Sequence, residues 1–176
     1  MRLLEARDEH LAWLLGEAEP PDGLRQPRGG IDRPWVYRWL RRGLRQRGGH
    51  GQWLIVVGVE VVGFCGHKSL PNDAGEVEIG YGVAPNRRRH GYATRAVALV
   101  LETAFNDERL SALTARTALA NRPSQRVLEA NGFTAVGRAH DEDEGEMIVW
   151  RLELDRRAYR NRRTTESTEG KASLVG

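Results

Sequence analysis

The chain has 176 residues, of which 40% are hydrophobic, and this size and composition suit one globular unit with a substantial core. Its formal net charge of +3 is mild, and no apolar run is long enough to suggest a transmembrane helix. The lone Cys65 excludes an internal disulfide, and the N-terminus lacks a signal-peptide pattern, so a cytoplasmic location is favoured. We expect one domain over residues 1–155 and a polar, disordered tail over residues 156–176.

The first 50 residues predict a short strand and two helices. Residues 1–7 alternate weakly and are assigned to the strand, and Asp8 is expected to cap the first helix. Residues 19–30 are rich in proline and glycine and predict a loop. Asp32 is expected to cap the second helix, with Pro34 just inside its start and a glycine pair at its end.

The middle of the chain is typical of a hairpin followed by a strand, a turn and a helix. Residues 52–57 and 61–67 are rich in β-branched side chains and predict the hairpin. Residues 76–83 predict the next strand, which Pro85 ends. Apolar residues then recur at helical spacing over residues 93–105.

The remaining elements alternate between strands and one short helix. A strand is predicted over residues 110–118 and a helix over residues 123–130, ended by an Asn-Gly pair. Strands over residues 133–138 and 146–154 flank an acidic hairpin tip at residues 141–145. Helices placed among mostly antiparallel strands predict an α+β fold.

The turn between the strand over residues 76–83 and its following helix is the most informative segment. It has the spacing Arg88-x-x-Gly91-x-Ala93, with small residues where the helix starts. Unobstructed N–H groups at a helix N-terminus attract anions, so this spacing indicates a pyrophosphate site. Neither the dinucleotide pattern G-x-G-x-x-G nor the triphosphate loop G-x-x-x-x-G-K-S/T is present.

A second segment has the pattern Asn121-x-x-Ser124, followed by Val-Leu-Glu-x-x-Gly-Phe over residues 127–133. In this order and at this distance, the two segments resemble the signatures of the GNAT superfamily of N-acetyltransferases. The match is nearest to the ribosomal-protein N-terminal acetyltransferase branch, called RimJ/RimL-like, and covers about residues 51–154. The resemblance implies a mixed, strongly twisted sheet that is splayed at its centre and flanked by helices.

The resemblance also implies that acetyl-coenzyme A is the co-substrate and that an amine accepts the acetyl group. Backbone N–H groups from Arg88 to Ala93 would bind the pyrophosphate, and the Val83 N–H would lie near the thioester carbonyl. The residues implied in cofactor binding are Tyr81, Val83, Arg88, Arg89, His90, Gly91, Tyr92, Ala93, Asn121 and Ser124. The two tyrosines among them are interpreted first as packing or cofactor-wall residues.

Two glutamates are candidates for the base that deprotonates the amine. Glu78 is the first choice and Glu76 the second, because alternation places both on one strand face with Gly80 and Gly82. The alternative for each glutamate is an ordinary charged strand residue. Glycines in a strand mark a close backbone approach, here of the pantetheine arm, or relieve crowding at a twist.

The acid that returns a proton to the thiolate is less clearly encoded. Many members of the superfamily carry a tyrosine shortly before the Gly-Phe pair, and this chain has Leu128 there. Ser124 resembles the serine of the RimJ/RimL-like branch, and this resemblance implies a catalytic role near the sulfur; the alternative is a plain helix-start residue just after Pro123. Asn121 is expected to bind the cofactor through its amide, although asparagine also favours loop caps.

Two other functions stay open from the sequence. One is a non-catalytic module that binds acyl-coenzyme A, and the other is an RNA- or ribosome-associated protein that uses its arginine clusters. Nucleic-acid binding is disfavoured because no aromatics are interleaved with those clusters. The five histidines show no metal-ligand spacing, so no metal site is assigned. The acceptor, whether a protein N-terminus or a small amine, and a homodimer are left open.

Overall fold

The computed structural model describes residues 1–160, and within them seven strands form one sheet with helices on both faces. The strands are β1 (Arg2–Glu5), β2 (Gln52–Val57), β3 (Glu60–His67), β4 (Glu76–Val83), β5 (Ala112–Ala118), β6 (Thr134–Asp141) and β7 (Gly145–Glu153). The longer helices are α1 (Asp8–Leu14), α2 (Pro34–Gln46), α3 (Tyr92–Phe105) and α4 (Arg122–Ala130). This arrangement confirms the predicted α+β class.

The sheet opens at its centre between β4 and β5. The strand order is β1-β2-β3-β4-β5-β7-β6, and every neighbouring pair is antiparallel except β4 and β5. That parallel pair is in register only over Glu76–Glu78 against Ala112–Thr114. Beyond Glu78, β4 keeps β3 as a partner as far as Val83 but has lost β5. The predicted central splay is therefore confirmed.

Two hydrophobic clusters hold the sheet between its helices. On one face, α3 contributes Ala96, Val97 and Val100, all fully buried, to a cluster with β3, β4, β5 and α4. On the other face, α1 and α2 pack against β2 and β3. Burial of this apolar surface fixes where α3 begins relative to the end of β4. Cys65 lies inside the first cluster with 0% exposure, and burial raises the pKa of its thiol to about 12. The prediction that it is a buried small hydrophobe is confirmed.

The two predicted helix caps are wrong by one residue. Arg7, not Asp8, is the N-cap of α1, and Arg33, not Asp32, is the N-cap of α2. Asp8 is instead the first residue of α1, where hydrogen bonds from Arg41 at 2.6 Å and then from Arg45 lower the pKa of its carboxyl. Tertiary ion pairing with α2 has thus displaced the local capping role.

The α1–α2 ion pairs give a stability prediction. Arg41 contacts both Asp8 and Glu17 at 2.6 Å and its side chain is 19% exposed. Replacing Arg41 with alanine should lower the free energy of unfolding by about 1 kcal/mol, measured by urea denaturation. Arg42→Ala is the control, because Arg42 is exposed on the same helix and its side chain makes no hydrogen bond or ion pair within residues 1–160. Equal losses in both variants would show that the ion pairs contribute nothing.

Residues 156–160 extend the folded part beyond the predicted boundary. They are helical, and Tyr159 stacks on Phe105 with ring centroids 3.9 Å apart. Arg156 donates hydrogen bonds to the carbonyls of Leu110, at 2.6 Å, and Asp107. The predicted start of the disordered tail at residue 156 is therefore too early. The rest of that tail, residues 161–176, lies outside the described residues.

Candidate active site

The turn between β4 and α3 presents a row of unpaired backbone N–H groups. From Arg88 to Thr94, no N–H donates a hydrogen bond to any residue within 1–160. Helix α3 starts after Gly91 with no side-chain cap, and its first N–H to pair is that of Arg95, with the Gly91 carbonyl at 3.0 Å. The uncapped helix end and the preceding turn can therefore bind an anion without displacing an internal hydrogen bond.

The backbone of this turn is shaped as a concave anion site. Arg89 has φ 66° and Gly91 has φ 72°, so two left-handed residues flank His90. Gly91 is followed directly by the right-handed first residue of α3, and such a pair of left- and right-handed residues directs successive N–H groups toward one point. For the non-glycine Arg89 the conformation costs roughly 1–2 kcal/mol. A Cβ on Gly91 would meet nothing within 4 Å, so backbone conformation and not space calls for glycine there.

The three consecutive arginines have different partners. Arg87 pairs with Glu60 at 2.7 Å, and that hydrogen bond raises the pKa of its guanidinium. The Nε of Arg88 donates to the Val83 carbonyl at 3.2 Å. Arg89 is exposed and hydrogen-bonds to no residue in the described part of the chain. Arg88 and Arg89 therefore have donors available for a phosphate, whereas Arg87 is held by Glu60.

A cavity of about 880 Å³ runs from this turn to the splay. Its wall includes nine of the ten predicted cofactor-binding residues, and His90 is the exception. His90 is exposed and stacks on Tyr92, with ring centroids 5.5 Å apart. The fold thus brings residues from the two sequence motifs, which lie on different elements, to one concave surface.

The second half of β4 turns backbone groups into the gap. Hydrogen bonds to β3 show that the backbone groups of Glu78 and Ala84 face that strand. Because backbone groups alternate in direction along a strand, the N–H and C=O groups of Ile79, Tyr81 and Val83 point to the opposite edge of β4. At that edge β5 has diverged, so these groups face the gap between the two strands. These groups offer strand-like pairing to an extended ligand that carries amides. The orientation suits the predicted role of the Val83 N–H, which stays a prediction.

Tyr81 and Ser124 connect β4 to α4 across the gap. The Tyr81 hydroxyl lies 2.7 Å from Ser124 Oγ and donates to the Ser124 carbonyl at 3.0 Å. Burial raises the pKa of Tyr81 to about 12, so its phenol stays protonated at neutral pH. Asn121 is the N-cap of α4 and accepts from the Ser124 N–H at 3.2 Å. Leu128 is fully buried in the core and supplies no hydroxyl there.

A second cavity, of about 300 Å³, adjoins the first at Tyr81, Asn121 and Ser124. Its walls come from α2, β2, β3, β4, β5, the start of α4 and the β6–β7 hairpin. A ligand in the first cavity and another in the second would meet at those three shared residues. This is the arrangement that a transfer reaction between two substrates needs.

Glu78 lies beside the second cavity, held between two of its wall residues. Its carboxylate accepts from Lys68 Nζ at 2.7 Å and pairs with Arg116 at 3.0 Å. Burial raises the pKa of Glu78, but the hydrogen bonds and charges of Lys68 and Arg116 outweigh it and lower the pKa overall. Glu78 is therefore ionised at neutral pH. Glu76 pairs with Arg151 and lines neither cavity.

Sequence reasoning missed Lys68 and Arg116. Lys68 follows β3 and Arg116 lies in β5, 38 residues from the Glu78 that it contacts. The parallel register of Glu78 with Thr114 places Arg116 two residues farther on the same face of β5. The alternation of β5 was readable in the sequence, but its register with β4 was not.

Comparison with known protein families shows which family this chain belongs to. A family model described as acetyltransferase (GNAT) domain matches residues 3–134, about three quarters of the chain. The chain belongs to the GNAT acetyltransferase family. As a GNAT member it is 36% identical over 87 residues to the uncharacterized N-acetyltransferase YjdG of Bacillus subtilis strain 168. That alignment covers 48% of this chain and 52% of YjdG, so the chain spans about half the length of this relative.

Solved structures of the RimJ/RimL-like branch share the fold. RimL, a ribosomal L7/L12 alpha-N-protein acetyltransferase in complex with coenzyme A, has a TM-score of 0.66 at 16% identity, covering 88% of this chain and 94% of RimL. Mycobacterium smegmatis RimJ, in complex with CoA-disulfide, has a TM-score of 0.64 at 23% identity. The match covers 86% of this chain and 80% of RimJ. These likenesses show that the fold is shared, and the RimJ/RimL-like branch stays a prediction from the second motif.

Two other features are missing from residues 1–160. No helix among them has the length and apolar character that crossing a bilayer requires. No three His, Cys, Asp or Glu side chains in this part of the chain are grouped so that they could hold a metal ion.

Proposed function

We propose that this chain is an acetyl-coenzyme A-dependent N-acetyltransferase that transfers the acetyl group to a primary amine. Membership of the GNAT family supports the reaction type. The observation that carries the proposal is the row of unpaired N–H groups from Arg88 to Thr94, which opens onto a cavity that leads to the splay. A cytoplasmic location, predicted from the sequence, belongs to the same proposal.

In this proposal, the residues of the first cavity hold the donor. The N–H groups of the turn, with Arg88 and Arg89, bind the pyrophosphate of acetyl-coenzyme A. The gap-facing backbone of Tyr81 pairs with the pantetheine arm, and the Val83 N–H donates to the thioester carbonyl. A donor that is well aimed at a developing oxyanion contributes about 3–4 kcal/mol to lowering the barrier.

The chemical step needs few side chains. The amine nitrogen attacks the acetyl carbon, the C–N bond forms, the C–S bond breaks and the amine loses one proton. Glu78, ionised at neutral pH, accepts that proton through water. Ser124, whose Oγ lies 2.7 Å from the Tyr81 hydroxyl, donates a proton to the thiolate sulfur, and solvent water restores the serine proton. We assign both roles as part of the proposal.

Cofactor binding and turnover are tested separately. Titration calorimetry with acetyl-coenzyme A should give a saturable heat with one site per chain. Thiol release in the presence of short peptides, monoamines and polyamines should then reveal at least one acetylated acceptor. Tight binding without turnover on any acceptor would support a non-catalytic module, and absence of binding would reject the proposal altogether.

The RNA-associated alternative has a distinguishing test. Its affinity for RNA should fall steeply as salt is added and should survive disruption of the turn at Gly91. Within residues 1–160, Arg41 and Arg45 of the first arginine cluster are paired with Asp8, which disfavours their use in RNA binding. We expect no salt-dependent RNA binding that exceeds that of a control protein of equal charge.

A further inference from the structure

The second cavity carries an excess of negative charge. Its wall includes two cations, Lys68 and Arg116, and two carboxylates, Asp141 and Glu144. Both cations already form ion pairs with Glu78, Lys68 at 2.7 Å and Arg116 at 3.0 Å. The carboxylates of the β6–β7 hairpin therefore lack full compensation from the wall, and a partly enclosed site strengthens their attraction for a cation.

The positions of these carboxylates are fixed by the hairpin turn. Asp141 Oδ1 accepts the N–H groups of Asp143 and Glu144, each at 3.1 Å. Those hydrogen bonds, together with Arg116 and Lys68 nearby, lower the pKa of Asp141. Asp141 Oδ2 accepts no hydrogen bond from residues 1–160, so it can serve a ligand.

A buried amide supplies an independent indication of a ligand with N–H donors. Gln52 lines the second cavity although its residue exposure is only 3%. Its Nε2 donates to the His67 carbonyl at 2.6 Å, which fixes the plane of the amide. Its Oε1 accepts no hydrogen bond from residues 1–160, so this oxygen of a cavity-lining residue has its acceptor capacity unused within them. An oxygen held in this way accepts hydrogen bonds from an ammonium or amine.

The aromatic side of the cavity suits the same ligand. Trp39 of α2 lines it and is 40% exposed, and Phe64 of β3 lines it as well. An ammonium over the face of a tryptophan is attracted by the ring quadrupole, and the methylene chain of an aliphatic amine packs on apolar rings.

We infer that the acceptor is an aliphatic diamine or polyamine, in which one neutral amine is acetylated and a second, charged nitrogen is held by Asp141 and Glu144. This inference rests on the proposed function and names its substrate class. The reacting amine lies at the junction of the cavities beside Asn121 and Ser124. The remote ammonium keeps its proton throughout, and only the attacking nitrogen loses one as the C–S bond breaks.

The test compares matched acceptors at saturating acetyl-coenzyme A. Diaminobutane should have a kcat/KM roughly tenfold or more above that of butylamine, since only the diamine brings a second cation. Sodium chloride should reduce this ratio, because salt screens partly exposed charges. A ratio near one, or a short peptide as the preferred acceptor, would overturn the inference while leaving acetyl transfer intact.

Variants then locate the second ammonium. The double variant Asp141→Asn and Glu144→Gln should bring the diamine-to-monoamine ratio within about twofold of one. Asn at position 141 keeps an oxygen for the hairpin turn, so the fold is retained. The matched control, Glu142→Gln with Asp143→Asn, removes two charges from the same hairpin outside the cavity wall and should preserve the ratio. Equal effects of the two double variants would overturn the assignment to Asp141 and Glu144.

Discussion

Replacing Gly91 with alanine should raise the Kd for acetyl-coenzyme A by roughly a hundredfold or more. The residue has φ 72°, and an alanine there favours a shift of the turn toward negative φ. That shift would redirect the N–H groups from Arg88 to Thr94 away from their common point. Hydrogen bonds to charged groups contribute about 1.5–3 kcal/mol each, so misdirecting one or two of them gives the expected loss. Titration calorimetry measures the change.

Gly16→Ala is the matched control for this variant. Gly16 has φ 77°, and a Cβ there, as at Gly91, would meet nothing within 4 Å. Both substitutions should therefore lower the free energy of unfolding by a similar amount, roughly 1–2 kcal/mol. Only the Gly91 variant should lose cofactor affinity. An unchanged Kd in Gly91→Ala would remove the turn from the binding site.

Replacing Glu78 with glutamine should lower kcat by about 100-fold at neutral pH, the lower end of the range for general base catalysis. Glutamine keeps the shape of the side chain but cannot accept the amine proton. The pKa of Glu78 lies below its ordinary value, so the wild-type base is ionised from mildly acidic pH upward. The ratio of wild-type to variant kcat should stay constant across this pH range. It should fall as pH approaches the pKa of the amine, because the amine then loses its proton without a base; this pKa is about 8 for an α-amine and about 10.4 for a lysine-like amine.

Glu76→Gln is the control for this second variant. Glu76 lies on the same face of β4, two residues earlier, and is also paired with an arginine, Arg151. Neither Glu76 nor its partner Arg151 lines either cavity, whereas both partners of Glu78 line the second, so kcat should change by less than about twofold in Glu76→Gln. A pH-independent loss of kcat in Glu78→Gln would mean that Glu78 positions Lys68 and Arg116 without transferring a proton.

Much of the binding turn was predictable from the sequence because its chemistry is local. Gly91 and Ala93, at their fixed spacing from Arg88, indicate a helix start with little side-chain bulk in front of it, and the structure has an uncapped helix start there. The left-handed conformation of Arg89 was not predictable, because a bulky residue gives no signal for φ 66°. It depends on how β4 and α3 are anchored in the core.

The junction of the two cavities depends on contacts that no local pattern contains. Tyr81 and Ser124 are 43 residues apart and meet only because α4 crosses the open end of the splay. The splay itself was expected from the family resemblance, since the apolar pattern of β4 does not reveal where its second partner strand diverges. The prediction that Asp8 caps α1 failed for a similar reason. The Asp8 carboxylate accepts a hydrogen bond from Arg41, which is 33 residues away in the sequence.

The amide resonances of the turn test the central claim most directly. In a ¹H–¹⁵N correlation spectrum, addition of coenzyme A should shift the N–H signals of Gly91, Tyr92 and Ala93 downfield, as charge-assisted hydrogen bonds form. Pantetheine, which lacks the pyrophosphate, should leave these three signals in place. Shifts confined to other parts of the chain, or equal shifts with pantetheine, would contradict pyrophosphate binding by this row of amides.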